Sequence, residues 1–161
     1  MSLSRLLLGG LAVVALALVA AGVLIGDLLK LQACPLCIFQ RLLYLLIALL
    51  GLMGCLIPAG RRVFGGLLAL TSLGGLATAG YQSWLQFFPE SSLACGSGDR
   101  GWVELVVDWF GIRWPDLFMA TGFCASKEWV FLDLSMANWS AVCFLGLGVA
   151  AACLAMKREM R

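Results

Sequence analysis

Residues 34–57 decide the fold. They read Cys34-Pro35-Leu36-Cys37-Ile38-Phe39-Gln40-Arg41, followed by LLYLLIALLGLMGCLI over residues 42–57. A helix needs about 20 mostly apolar residues to cross about 30 Å of hydrocarbon, and the run from Cys37 to Ile57 meets that length. Its sole charge is Arg41, one turn inside the start. Working outward, three more stretches have the same character: Leu6 to Ile25, Val63 to Leu85 and Trp139 to Met156. The chain therefore reads as an all-α membrane protein, a four-transmembrane-helix bundle forming a single domain over residues 1–161. Its spans are TM1 (6–25), TM2 (37–57), TM3 (63–85) and TM4 (139–156). Composition agrees. The chain is 62% hydrophobic and 12% charged, against about 25% charged in soluble domains. That balance excludes a disordered chain, a nucleic-acid reader and an ordinary soluble enzyme. The absence of histidine excludes Ser-His-Asp and Cys-His catalysis and His-ligated metal or haem.

TM1 has one competing reading, a cleaved signal peptide, with Arg5 ahead of it and small residues at Ala20, Ala21 and Gly22. Its apolar stretch exceeds the about 7–15 residues of a signal core, so a retained span is expected. Orientation follows from basic residues near the helix ends. Arg5, the Arg61-Arg62 pair, Lys157, Arg158 and Arg161 share one side; Lys30, Arg41, Arg100, Arg113 and Lys127 share the other. The first group sits on a short connector and a juxtamembrane tail, where the rule has most force. Both termini are thus expected inside, with a short outer loop at 26–36 and a long one at 86–138. Within the long loop, WVELVVDWFGIRW (residues 102–114) is expected to form a short helix lying in the membrane interface, its tryptophans at headgroup depth and Pro115 ending it. A loop helix packed on other loop residues is the alternative. The glycines Gly65, Gly66, Gly74, Gly75 and Gly80 on TM3 are expected to allow close helix packing.

Seven cysteines sort by depth. Cys55, Cys143 and Cys153 fall within spans, where a thiol acts as a small hydrophobe. Cys34, Cys37, Cys95 and Cys124 fall on the outer side, two in each loop. Four cysteines allow three pairings. A structural staple accounts for Cys95 and Cys124, but a bridge between residues three apart constrains little chain. Cys34 to Cys37 reads instead as redox chemistry. Pro35 suits the first helical position, so Cys34 lies near the N-cap and Cys37 in the first turn, where free amides and the helix dipole favour a thiolate. Arg41 lies one turn further on the same face. A cation inside a membrane helix usually has a specific partner, although snorkelling to the interface is the plain alternative. No haem, iron–sulfur or dinucleotide signature is present, so a lipophilic quinone is the simplest electron acceptor.

At this point Cys34-Pro35-Leu36-Cys37-Ile38-Phe39-Gln40-Arg41 resembles the CxLCxxxR signature of the disulfide bond formation protein B (DsbB) family. The likeness extends to the four spans, to Pro89 with Cys95 six residues later, to Cys124 after the loop helix and to residues 129–136 before TM4. The resemblance implies a protein-disulfide:quinone oxidoreductase of the bacterial inner membrane, with its redox cysteines periplasmic. A DsbA-like thioredoxin-fold partner would be reoxidised at the Cys95–Cys124 disulfide, with the mixed disulfide at Cys95. Electrons would pass by interloop exchange to Cys34 and Cys37, and on to ubiquinone or menaquinone beside Cys37 and Arg41. Many family members carry a histidine near the outer end of TM3; this chain has Gln82 in that region instead.

Three other readings are weighed. A vitamin-K-epoxide-reductase-like protein also couples CxxC to quinone, but typically on its last helix. A tetraspan scaffold or transporter usually places polar groups at the midplane, and no span here has a charge at its centre. A zinc site usually shows two CxxC-like pairs, and only one is present, so no metal is expected.

Overall fold

The structure is a computed structural model and describes residues 3–57, 61–88, 101–127 and 129–156. Four helices are long and apolar enough to span a membrane. These are α1 (Leu3–Leu29), α2 (Pro35–Leu56), α3 (Arg61–Phe87) and α6 (Met136–Met156). Between α3 and α6 lie α4 (Trp102–Arg113), the single turn α5 (Pro115–Phe118), and a minimal hairpin of β1 (Val130–Phe131) and β2 (Leu134–Ser135). The protein is thus an all-α four-span membrane protein.

Each helix starts two or three residues before the apolar window that marks it, α1 and α3 also run past its end while α2 stops one residue short at Leu56, and the ends have local causes. α1 continues through Gly26 and Asp27 to Leu29, where Lys30 takes a left-handed conformation (φ 55°). The Leu31 amide then donates to the Gly26 carbonyl at 2.9 Å, a Schellman closure made without the usual glycine. α2 starts at Pro35, whose fixed φ and missing N–H suit that position. α6 begins three residues before the expected Trp139, because Ser135 Oγ accepts from the Asn138 amide at 3.5 Å as an N-cap. Pro115 ends α4 as expected, but it also opens α5 as that turn's first residue.

α3 packs most extensively on α6, α1 on α2, and α2 on α3. Leu8, Tyr44, Ile47, Leu68, Phe144 and Leu147 form the shared core. Tyr44 stacks on Phe144 with ring centroids 4.1 Å apart and donates to the Ser140 carbonyl. Two glycines of α3, with Gly148 of α6 against Ser72, permit the α3–α6 approach. A Cβ on Gly75 would fall inside the Phe144 ring, and one on Gly65 would press on Ala155 at 3.2 Å. Gly66, Gly74 and Gly80 face open space, so the expected packing role is confined to Gly65 and Gly75. The bundle's outer surface is apolar throughout, with Val13, Leu24, Leu49, Leu70 and Val149 exposed. Such a surface suits lipid and not water. Cys55 and Cys143 pack against the core and Cys153 is exposed on α6, in keeping with thiols serving as small hydrophobes.

α4 has two faces. Val103, Val107 and Phe110 pack towards α2 beside Ile38 and Phe118. Trp102, Leu105, Trp109 and Ile112 are exposed, Ile112 at 84% against 1% for Val107 on the packed face. The helix is therefore docked on a span, with a mostly apolar exposed side that also carries Asp108 and Arg113. Leu8 abuts Gly54 at one end of the bundle, with Gly65 against Ala155. Cys34, Arg41 and Leu117 gather at the other end. The first and last helices thus begin and finish at the end away from the thiols.

Candidate thiol site

Cys34 is the N-cap of α2, with extended backbone (φ −85°, ψ 163°). Its Sγ accepts from the Cys37 amide at 3.3 Å, satisfying one of the donors that a helix start leaves free. The Cys34 thiol in turn donates to Cys37 Sγ at 3.1 Å. The CxxC motif is therefore folded back on itself by the helix start, as its spacing and Pro35 imply.

Cys124 arrives from far along the chain. The amides of Thr121 and Gly122 both donate to the Ala33 carbonyl, at 2.9 and 3.0 Å. Gly122 is needed there, because a Cβ would run into the Gln32 carbonyl oxygen. Gln86 Nε2 donates to the Ser126 carbonyl at 3.2 Å, tying the same segment to α3. The result places Cys124 beside Cys34 and Cys37 in one small cluster with Leu36, Leu85 and Val103. Hydrogen bonds with Cys124 and Cys37, together with burial, push the Cys34 thiol well above the usual thiol range. The hydrogen bond with Cys34 holds Cys124 below it, against the opposing effect of burial. Cys95, the fourth cysteine expected in the outer loops, lies outside the described residues.

Arg41 is half-buried one turn below Cys37. Its Nη1 donates to the Leu117 carbonyl at 3.1 Å and its Nη2 to the Gly22 carbonyl at 3.4 Å. A Cβ built on Gly26 would come within 3.6 Å of the same guanidinium. Arg41 thus clips α1 and α5 to α2 and does not snorkel freely. It also lines a cleft together with Cys34, Cys37, Gly22, Gly26, Gln82, Trp129 and Met136. The cleft encloses about 60 Å³ and is otherwise open at its mouth, less than the about 300–1,000 Å³ of most small-molecule sites, so a ring bound there would stay partly exposed.

Sequence reasoning did not single out Gln40 or Gln86, and gave Gln82 by location only. Gln40 Nε2 donates to Gln82 Oε1 at 2.8 Å across the α2–α3 contact. Gln82 Nε2 faces both sulfurs, at 3.0 Å from Cys37 and 3.4 Å from Cys34. A signal was available: all three glutamines sit near the ends of apolar spans, where a polar side chain usually has a specific partner.

A four-span membrane protein with three interacting thiols, one at a helix N-cap beside a cleft lined by Arg41, defines a membrane thiol–disulfide protein. The chain belongs to the DsbB family: the family described as Disulfide bond formation protein DsbB matches residues 4–154. Relatives agree along nearly the whole chain. Disulfide bond formation protein B of Dechloromonas aromatica (strain RCB) is 46% identical over 144 residues, covering 89% of this chain and 87% of that protein. Disulfide bond formation protein B of Nitrosomonas europaea is 38% identical over 157 residues, covering 90% of this chain and 92% of that protein. That of Azoarcus sp. (strain BH72) is 36% identical over 150 residues, covering 90% and 88%. The protein is accordingly a multi-pass membrane oxidoreductase of disulfide bond formation.

Proposed function

We propose that the chain is a thiol:quinone oxidoreductase that reoxidises a DsbA-like dithiol protein of the periplasm, with both termini cytoplasmic. The observation that carries this reading is the convergence of Cys34, Cys37 and Cys124 on one cluster that borders the Arg41 cleft. Disulfide exchange requires the three sulfurs to be neighbours, and electron delivery into the membrane requires one of them to face a lipid-accessible cavity.

In the proposed sequence, the partner's thiolate attacks Cys95 in a Cys95–Cys124 disulfide, forming a mixed disulfide and releasing Cys124. The partner's second thiol displaces Cys95, and the partner leaves oxidised. Cys124 then attacks Cys34 in a Cys34–Cys37 disulfide, releasing Cys37 next to the cleft. Attack by Cys95 on the Cys34–Cys124 bridge restores the loop disulfide and leaves Cys34 and Cys37 as a dithiol. Each exchange breaks one S–S bond and makes one, so two electrons and two protons per cycle remain to be removed at Cys34 and Cys37. A bound ubiquinone or menaquinone supplies that removal, taking up both electrons and both protons.

The cleft residues fit a flat quinone ring. Gly22 and Gly26 leave a smooth wall on α1, Trp129 and Met136 add apolar surface, and Arg41 offers guanidinium donors to a carbonyl oxygen. The test is anaerobic mixing of the detergent-purified protein, a reduced DsbA-like protein and a short-chain quinone, following quinone absorbance. Turnover is expected in the wild type and none in Cys37→Ser. Wild-type turnover in Cys37→Ser overturns the reading.

A further inference from the structure

Burying a carboxamide is costly when a partner is missing. Gln40 and Gln82 are nevertheless 5% and 3% exposed, inside largely apolar helices. Their mutual hydrogen bond would suffice to glue α2 to α3. It leaves the Gln82 amino group still to be placed, and that group points at the CxxC sulfurs. Its direction is set from behind. Gln40 donates to the Gln82 oxygen, so the opposite end of the same amide must present N–H. Cys37 Sγ thereby accepts from Gln82 and from the Cys34 thiol together.

We propose that Gln82, oriented by Gln40, is the positioning residue of the Cys37 sulfur, holding it as an acceptor of hydrogen bonds at the edge of the cleft. The inference rests on the proposed reading of Cys37 as the sulfur that delivers electrons. Gln82 acts through Cys37 and not on any bound acceptor. A side chain of similar reach with an N–H at its tip performs the same task, and an apolar one does not.

The test uses the full chain in detergent, reduced and held anaerobic, pulsed with iodoacetamide at neutral pH. Peptide mass spectrometry gives the alkylation rates of Cys37 and Cys124 in one sample. Gln82→Leu is expected to lower the Cys37 to Cys124 rate ratio about tenfold, the effect of losing a hydrogen bond to a charged acceptor. Gln82→His is expected to restore the ratio to within about threefold, since imidazole can donate. Gln40→Leu is expected to lower the ratio by a smaller factor, because Gln82 remains but is free to turn over. Where Gln82→Leu does not accumulate, Gln82→Met takes its place with the same expectation. An unchanged ratio in Gln82→Leu, or equal slowing at both cysteines, overturns the proposal and leaves the glutamines as helix glue. Quinone reduction by Cys37→Ser is measured alongside. Loss there with an unchanged Gln82→Leu ratio removes only the role of Gln82, whereas retained turnover removes the underlying reading.

Discussion

The Thr121 amide donates to the Ala33 carbonyl at 2.9 Å, so residues 88 apart in sequence fix the approach of one cysteine to another. Ala33 immediately precedes Cys34, and Thr121 lies three residues before Cys124. Gly122 makes the docking possible by leaving room for the Gln32 carbonyl. Gly122→Ala is therefore expected to push the segment away and destabilise the docked arrangement by about 1–3 kcal/mol. Mild oxidation of a chain retaining only Cys34 and Cys124 checks this. The crosslinked fraction seen by mass spectrometry should fall at least severalfold in the Gly122→Ala background, and an unchanged yield would show that the contact is not needed.

Cys34 and Cys124 should separate on a pH series. The Cys34 thiol is pushed up by its sulfur hydrogen bonds and burial, and Cys124 is held down by Cys34. A lowered thiol becomes thiolate at lower pH, and the thiolate is the reacting form. As pH rises, Cys124 should therefore alkylate first and Cys34 last. Cys34→Ala removes the main cause at Cys124, so its alkylation midpoint should move up. Reactivity of Cys34 ahead of Cys124 would contradict the assignment.

Arg41 holds two carbonyls on two other elements and also borders the cleft. Arg41→Ala is expected to raise the KM for quinone by about tenfold, the usual scale for loss of one charge-assisted contact. Arg41→Lys should recover part of that, since an ammonium cannot fork to Gly22 and Leu117 together. Steady-state kinetics at varied quinone decides. An unchanged KM in Arg41→Ala would limit the residue to holding α1 and α5.

Adjacent glycines on α3 should respond in opposite ways. Gly75→Ala drives a methyl into Phe144, which is fully buried and stacked on Tyr44, and should cost about 1–3 kcal/mol. Gly74→Ala meets open space and should gain about 0.4–1 kcal/mol by restricting the unfolded chain. Thermal unfolding in detergent reads both, and a Gly75→Ala protein as stable as wild type would rule out close packing at that point.

The exposed face of α4 supplies a positional test. Nitroxide labels at Ile112 and Leu105 should be relaxed more by lipid-soluble oxygen than by a water-soluble relaxant, and one at Lys127, exposed beyond the helix, the reverse. Equal response at all three positions would contradict a helix lying at the membrane surface.

What the sequence disclosed was local. Four apolar runs gave four spans, and Pro35 between two cysteines gave the helix start that turns Cys34 onto Cys37. Features that depend on pairing distant segments were not legible. Nothing near Ala33 announces Thr121, and Gln40 becomes meaningful only once α3 brings Gln82 within 2.8 Å. The β1–β2 turn was hidden for another reason. Leu132 and Asp133 both take left-handed backbone, φ 53° and 60°, where such two-residue turns ordinarily use Asn-Gly or Asp-Gly. A leucine there gives no turn signal. That choice becomes intelligible only with the tertiary setting, where the Trp139 indole donates to the Phe131 carbonyl at 3.1 Å.

The glutamine facing the sulfurs has a consequence for the conditions under which the protein can work. A carboxamide gains and loses no proton over any biological pH. An imidazole in the same place would change its charge near pH 6.5 and so change its own donor and acceptor character as the surroundings acidify. The hydrogen bond from Gln82 to Cys37 carries no such dependence. Acidification can still act on the thiols themselves, but it cannot retune the group that faces them. A chain without histidine thus keeps one fixed element of its thiol site indifferent to the acidity of the surrounding medium.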